Sequence, residues 1–270
     1  MQGKSRVNAE TGGHLIEAPP IERGLDAGLV LAIAALFALS PLMHGGALVA
    51  LTGALALATA VGAGRRNRPA SGLGVFCTAV ALASILEVPY RIVVCIAVYA
   101  ATVASTPWLR GSAGWARRGS FGRDVQALVI ASVVISSAAL VLWVLLLRPD
   151  LGDLLGASPL KAAPWVLVPT VVGFATMEAA IEEVAYRGIV LDALDAALGA
   201  GWAPVLLQAI MFGIAHIHGF PRGWSGVALA SVYGLMMGVV RRRARGMFAP
   251  WLAHVFADAT IACILIALGR

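Results

Sequence analysis

The residues of this chain that can do chemistry are acids and imidazoles set into otherwise apolar runs. Glu178, Glu182, Glu183 and Arg187 share one run, Phe212 and His216 lie in the next, and His254 and Asp258 lie in the last. A charged side chain at mid-bilayer costs about 2.5–3.5 kcal/mol on insertion scales, so each such group calls for a partner or a task. Glu183 and Arg187 are four apart in sequence, which puts them on one helical face, where they can pair and lower each other's desolvation cost. Glu182 then points about 100° away around the helix, free to face something else. Gly199, Ala200 and Gly201 turn the chain, and residue 199 is the midpoint of 182 and 216. An antiparallel helical hairpin closed there sets the Glu182 carboxylate level with the His216 imidazole. His254 and Asp258 are again four apart, soon after Pro250, and share a face. A carboxylate and two imidazoles gathered in a low-dielectric pocket suit proton abstraction from a water and stabilisation of a developing oxyanion. Glu178 fits the pocket wall or a supporting position, while His44 and His218 fit span boundaries. Plain counting sets His216 late in its run and His254 early in a parallel one, so a tilt or bend has to bring them level.

The elements that must position these groups are membrane helices. Sixty per cent of the 270 residues are apolar and the mean hydropathy is +0.86, with charge confined to short clusters between long uncharged runs. About 20 apolar residues cross roughly 30 Å of hydrocarbon as a helix. Candidate runs lie near 28–43, 46–64, 71–88, 91–107, 125–147, 166–198, 203–218, 225–240 and 248–268. They are apolar on all sides, not alternating as in a β-barrel. The expected fold is therefore all-α, a polytopic transmembrane bundle of eight or nine spans, with the frequent Gly and Ala serving as helix-packing surface. Three segments are expected: a polar cytoplasmic tail over 1–24, scaffold helices over 25–147, and a catalytic membrane domain over 148–270. The segment 107–122, with Trp108, Trp115, Arg117 and Arg118, reads as an interfacial link between the two halves.

The pI near 9.8 is a topology signal and not a nucleic-acid footprint. With the amino terminus inside and nine crossings, fifteen of the twenty Lys and Arg fall on the inner side, leaving Arg91, Arg148, Lys161, Arg222 and Arg270 outside. An integral protein of the bacterial cytoplasmic membrane is expected, its amino terminus cytoplasmic, with no nucleic-acid partner. The mixed, polar first 24 residues lack an apolar signal core, so the first helix is read as uncleaved. Cys77, Cys95 and Cys263 fall inside spans in no metal or redox spacing and read as buried free thiols.

Three short patterns carry a family resemblance. Glu182-Glu183-Val-Ala-Tyr-Arg187, Phe212-Gly-Ile-Ala-His216 and His254-Val-Phe-Ala-Asp258 resemble the EExxxR, FxxxH and HxxxN/D motifs of the CPBP family, the CAAX prenyl endopeptidase and bacteriocin-processing intramembrane proteases. The resemblance covers about residues 165–268. It implies an endopeptidase of about eight helices, its site below the membrane surface, that cleaves a membrane-associated protein or peptide; no cofactor is expected, with Zn2+ as the alternative. By motif position it implies Glu182 as general base with His216, Glu183 and Arg187 as helix-orienting residues, and His254 with Asp258 at the oxyanion. Many relatives carry Asn where this chain has Asp258. An ionised Asp accepts but does not donate hydrogen bonds, so Asp258 is either protonated in its apolar site or orients His254, and orientation of His254 is the expectation.

Two other readings compete. Glu182, His216 and His254 are a plausible Zn2+ set for a metallopeptidase, although no HExxH helix is present. Ionisable residues in spans also mark proton-coupled transporters, which often show paired, broken helices in both halves; here they are confined to the second half. A non-catalytic membrane scaffold is a third possibility.

Overall fold

The structure, a computed structural model, describes residues 20–157 and 163–269, and among these every regular element is helical. Most of the expected polar tail, with Lys4 and Arg6, lies outside the described residues, as do Lys161 and Arg270. The helices are α1 (Pro20–Leu39), α2 (Gly45–Gly64), α3 (Arg68–Ile85), α4 (Arg91–Ser105), α5 (Arg123–Leu147), α6 (Gly152–Ala157), α7 (Pro164–Glu182), α8 (Leu191–Leu198), α9 (Trp202–Ala215), α10 (Gly223–Ala244) and α11 (Phe248–Gly269). A π-helical segment, Glu183–Val190, joins α7 to α8, so that 165–198 is one 34-residue apolar run. Among the described residues seven helices are long and apolar enough to cross a bilayer, and Arg91–Ser105 and Trp202–Ala215 are shorter apolar helices. The all-helical membrane architecture expected from composition is the observed one.

Local sequence explains the element ends. Asn67 caps α3 by accepting from the Ala70 N–H at 3.1 Å, with Pro69 in the first turn. Gly199 ends α8 at φ +79°, a conformation open to glycine, and the chain reverses into α9 at the expected place. In the first half α3 is the central helix: 56% of its span is buried, against 22% for α1 and α2. Its core of Leu73, Phe76 and Cys77 continues into Val190 and Leu194 of the second half. A second core, Val125, Val129, Met237, Val240 and Ala253, joins α5, α10 and α11. Small residues let α9 and α10 approach closely; a Cβ on Gly234 would stand 3.0 Å from the Ala209 Cα. Outward apolar side chains such as Ile130, Leu146 and Trp165 have no protein to cover them and face the lipid.

One expectation fails in detail. Cys77 and Cys95 are buried, but Cys263 is exposed. Membership of a span says nothing about which face of the helix a residue occupies, and residue 263 lies on the outer face of α11.

Outside the spans, Arg222 forks onto Asp153 of α6 with two hydrogen bonds, 2.7 and 2.9 Å, and also donates to the carbonyls of Asp150 and His218. These bonds from Arg222 hold the exposed Asp153 carboxyl below its ordinary range. They pin the loop that leaves α9 immediately after His216.

Candidate active site

Three helices deliver the site. Glu182 is the last residue of α7, Glu183 the first of the π-segment, His216 the residue that ends α9, and His254 lies in the second turn of α11. The depth problem posed by counting is resolved in the fold. At 1.5 Å per residue the 34-residue run 165–198 is about 50 Å long, more than the hydrocarbon thickness, so its α8 end projects beyond it. There Asp195 pairs with Arg242 at the end of α10. His216 at the end of α9 and His254 near the start of α11 both come within 4 Å of the Glu182 carboxylate, and so lie level.

Glu182 and Glu183 face different ways, as the spacing requires. The Glu182 side chain is 23% exposed, and its Oε2 stands 3.4 Å from His254 Nε2 and 3.9 Å from His216 Nε2. Glu183 is 1% exposed. Its Oε1 accepts from His254 Nδ1 at 2.7 Å and lies 3.1 Å from Arg187 Nη1, a contact of charge without the alignment of a hydrogen bond. The expected Glu183–Arg187 pair is thus present, and it reaches beyond its own helix to hold His254. Asp258 does not take that place. Its Oδ1 is 3.8 Å from His254 Nε2, beyond hydrogen-bond range, because residue 258 sits one turn along the same helix while Nδ1 points across to α7. The expectation that Asp258 orients His254 is corrected accordingly: Glu183 does.

His216 is oriented by its own helix. Its Nδ1 donates to the Phe212 carbonyl at 2.9 Å, which directs Nε2 towards Glu182. Phe212 is the hub of the site. Its ring packs under the Arg187 guanidinium at 4.3 Å and lies 4.5 Å from the His216 ring, with Tyr186 edge-on at 5.1 Å. Desolvated cation–π contacts of this kind are worth about 2 kcal/mol, which offsets part of the cost of burying Arg187. Glu178, one turn before Glu182, lines the same cavity. His218 and His44 meet at 6.2 Å between rings, outside the cluster, at the boundary positions expected.

Glu182, His216, His254 and Asp258 line a cavity of about 910 Å³. Its wall is completed by groups that spacing did not single out. Tyr233 of α10 sets its ring 5.1 Å from that of His254, and Ile92 and Ser136 come from the first half. The π-segment was also unforeseen. Nothing in hydrophobic periodicity distinguishes one widened turn inside an apolar run, although π-turns commonly occur at functional positions. Among the described residues no group of three or more His, Cys, Asp or Glu is arranged to hold a metal ion.

Comparison with known proteins agrees with the motifs. No curated protein and no solved structure matches the chain. The family described as Rce1-like, "Type II CAAX prenyl endopeptidase Rce1-like", matches residues 163–260, a segment that includes all three motifs and supports a CAAX-type protease acting on a peptide or protein in the bilayer. Over that segment, the match supports membership of this chain in the CPBP family.

Proposed function

We propose that the protein is an intramembrane endopeptidase in which Glu182 and His216 activate a water against a peptide carbonyl. The observation that carries this reading is the convergence on one cavity of the Glu182 carboxylate, 3.9 Å from His216 Nε2 and 3.4 Å from His254 Nε2. Glu182 Oε2 and His216 Nε2 are both acceptors, so a water between them donates one hydrogen to each and turns an oxygen lone pair outward. Attack of that oxygen on the scissile carbonyl carbon transfers a proton to Glu182. The protonated carboxyl then returns it to the departing nitrogen as the C–N bond breaks, which leaves a new carboxylic acid and an amine. His254 as imidazolium donates through Nδ1 to Glu183 and through Nε2 to the oxyanion. Such a donor, fixed before the reaction, is commonly worth about 10²–10³ in rate. Asp258 and Glu178 line the same cavity, and Arg187, 3.1 Å from Glu183 Oε1, holds that carboxylate in place.

The family description points to a peptide ending in a prenylated Cys-aliphatic-aliphatic-X sequence as the first substrate to test. With a fluorescence-quenched farnesyl peptide of that form and the purified full chain in lipid, Glu182→Gln is expected to lower kcat by about 10²–10⁴. Cleavage by the folded Glu182→Gln protein at the unmodified rate would remove Glu182 as the base. Rate loss on chelation, restored by zinc, would instead favour the metal reading.

A further inference from the structure

The link between the two halves touches both elements whose separation sets the site. It begins with a 3-10 helix, Pro107–Ala113, tied to the first half: Arg68 Nε donates to the Trp108 carbonyl at 2.8 Å and the Tyr99 hydroxyl to the Ser112 carbonyl at 2.9 Å. Trp115, 8% exposed, lies flat on Gly188, the residue after Arg187 in the π-segment. A Cβ on Gly188 would stand 2.9 Å from the indole Cδ2 and Cε3, so the contact exists only because residue 188 has no side chain. The Trp115 carbonyl also accepts from Arg241 Nη2 of α10 at 3.4 Å.

The next residues run along the turn that enters α11. Met247 N–H donates to the Arg117 carbonyl at 2.8 Å, Phe248 N–H to the Arg118 carbonyl at 3.2 Å, and Ser120 N–H to the Ala244 carbonyl at 2.8 Å. The Arg118 guanidinium lies over the Phe248 ring at 5.2 Å. One short stretch thus grips the π-segment five residues after Glu183 and the chain six residues before His254. Between those two residues runs the 2.7 Å hydrogen bond that sets the direction of His254 Nε2.

We propose that Trp115 is a positioning residue for the candidate site: seated on Gly188, it fixes the π-segment against α11 and so keeps Glu183 in register with His254. The residue lies outside the segment that matches the protease family, so the first half of the chain takes part in setting the geometry of the second. The proposal rests on the peptidase reading only for its kinetic consequence.

The test uses full-length protein labelled with ¹⁵N-histidine in lipid nanodiscs, the His254 resonance being assigned by its loss in His254→Ala. Trp115→Ala and Gly188→Ala are each expected to shift the Nδ1 signal of His254, the first by releasing the π-segment and the second by forcing it away. In W115A/G188A the added methyl group occupies part of the vacated space, and the signal moves back towards the unmodified position. Trp165→Ala, which removes an indole facing the lipid, leaves it in place. On the farnesyl peptide the two single variants are expected to lose about 10- to 100-fold in kcat with little change in KM, as a small misplacement of reacting groups does, with partial recovery in the double variant. An unmoved His254 signal in folded W115A and G188A would overturn the proposal. So would a double variant no closer to the unmodified protein than G188A. Failure of the peptidase reading shows separately, as cleavage retained by E182Q, and leaves the histidine signals to decide.

Discussion

The two halves of the molecule use the same solvent differently. Among the described residues, the buried polar side chains from α1 to α5 are Asn67, Ser71, Ser132 and Ser136, none of them charged, whereas α7 to α11 bury Glu183, Arg187, Gln208, His254 and Asp258. In hydrocarbon a hydroxyl or amide can satisfy itself on a nearby carbonyl, as Ser71 does on Asn67 at 2.8 Å. A buried charge needs a built environment. The first half therefore bears the marks of packing and the second those of chemistry. The contact between Trp115 and Gly188 shows that the division is one of function and not of structure.

The largest effect that could break this contrast is on rate. His254→Ala is expected to reduce cleavage of the farnesyl peptide by about 10²–10³ while insertion and folding persist; a folded H254A protein of undiminished kcat would leave the second half with charge but no chemistry. Next is stability. Arg187→Met strands Glu183 in a site where it is 1% exposed, and loss of one partner from a buried pair costs about 3–5 kcal/mol, read as reduced resistance to denaturant in detergent. The double variant E183L/R187M is expected to recover much of that stability without recovering cleavage, because the pair is replaced by apolar packing while His254 has lost its Nδ1 acceptor. Equal stability of R187M and the unmodified protein would show the pair to be unnecessary for folding.

In the first half, Leu55→Ala empties a fully buried position. A cost of about 2 kcal/mol is expected, at the low end of the range for such truncations, since lipid offers little transfer gain and mainly packing is lost. The rate per folded molecule should stay unchanged; a fall in kcat comparable to that of H254A would erase the distinction between the halves. The smallest effect belongs to the surface. The carboxyl of Asp153 is held low by its hydrogen bonds from Arg222, so whatever it contributes is present above its unfolded pKa of about 4 and is lost as pH falls through the lower folded value. Because the pair is exposed, D153N should leave the unfolding temperature at pH 7 unresolved from that of the unmodified protein. A clear drop at pH 7 that vanished below pH 4 would give the α6 contact more weight than its exposure allows.

How much of this could be read in advance differs by level. The helical class followed from run length and composition, and the turn at Gly199 from the glycines that make it. Glu182 and His216 were brought together by equidistance from that turn, and Glu183 with Arg187 by a spacing of four. Cys263 shows the limit of such reasoning, since a span in lipid lacks the amphipathic stripe that tells inside from outside in water. Asp258 shows another. Its position beside His254 was legible, yet which carboxylate takes the Nδ1 proton depends on the rotation of α11 against α7.

By itself, then, the sequence determined that this chain enters the bilayer as helices and that its acids and imidazoles fall on three of them, because run length, turn residues and spacing are local properties of the chain. Only the tertiary structure decided that Glu183 and not Asp258 holds His254, that Phe212 bridges Arg187 and His216, and that Trp115 sits on Gly188. Those contacts join residues far apart in the chain, and their geometry depends on helix rotation, helix offset and one π-turn, none of which a hydrophobic pattern encodes.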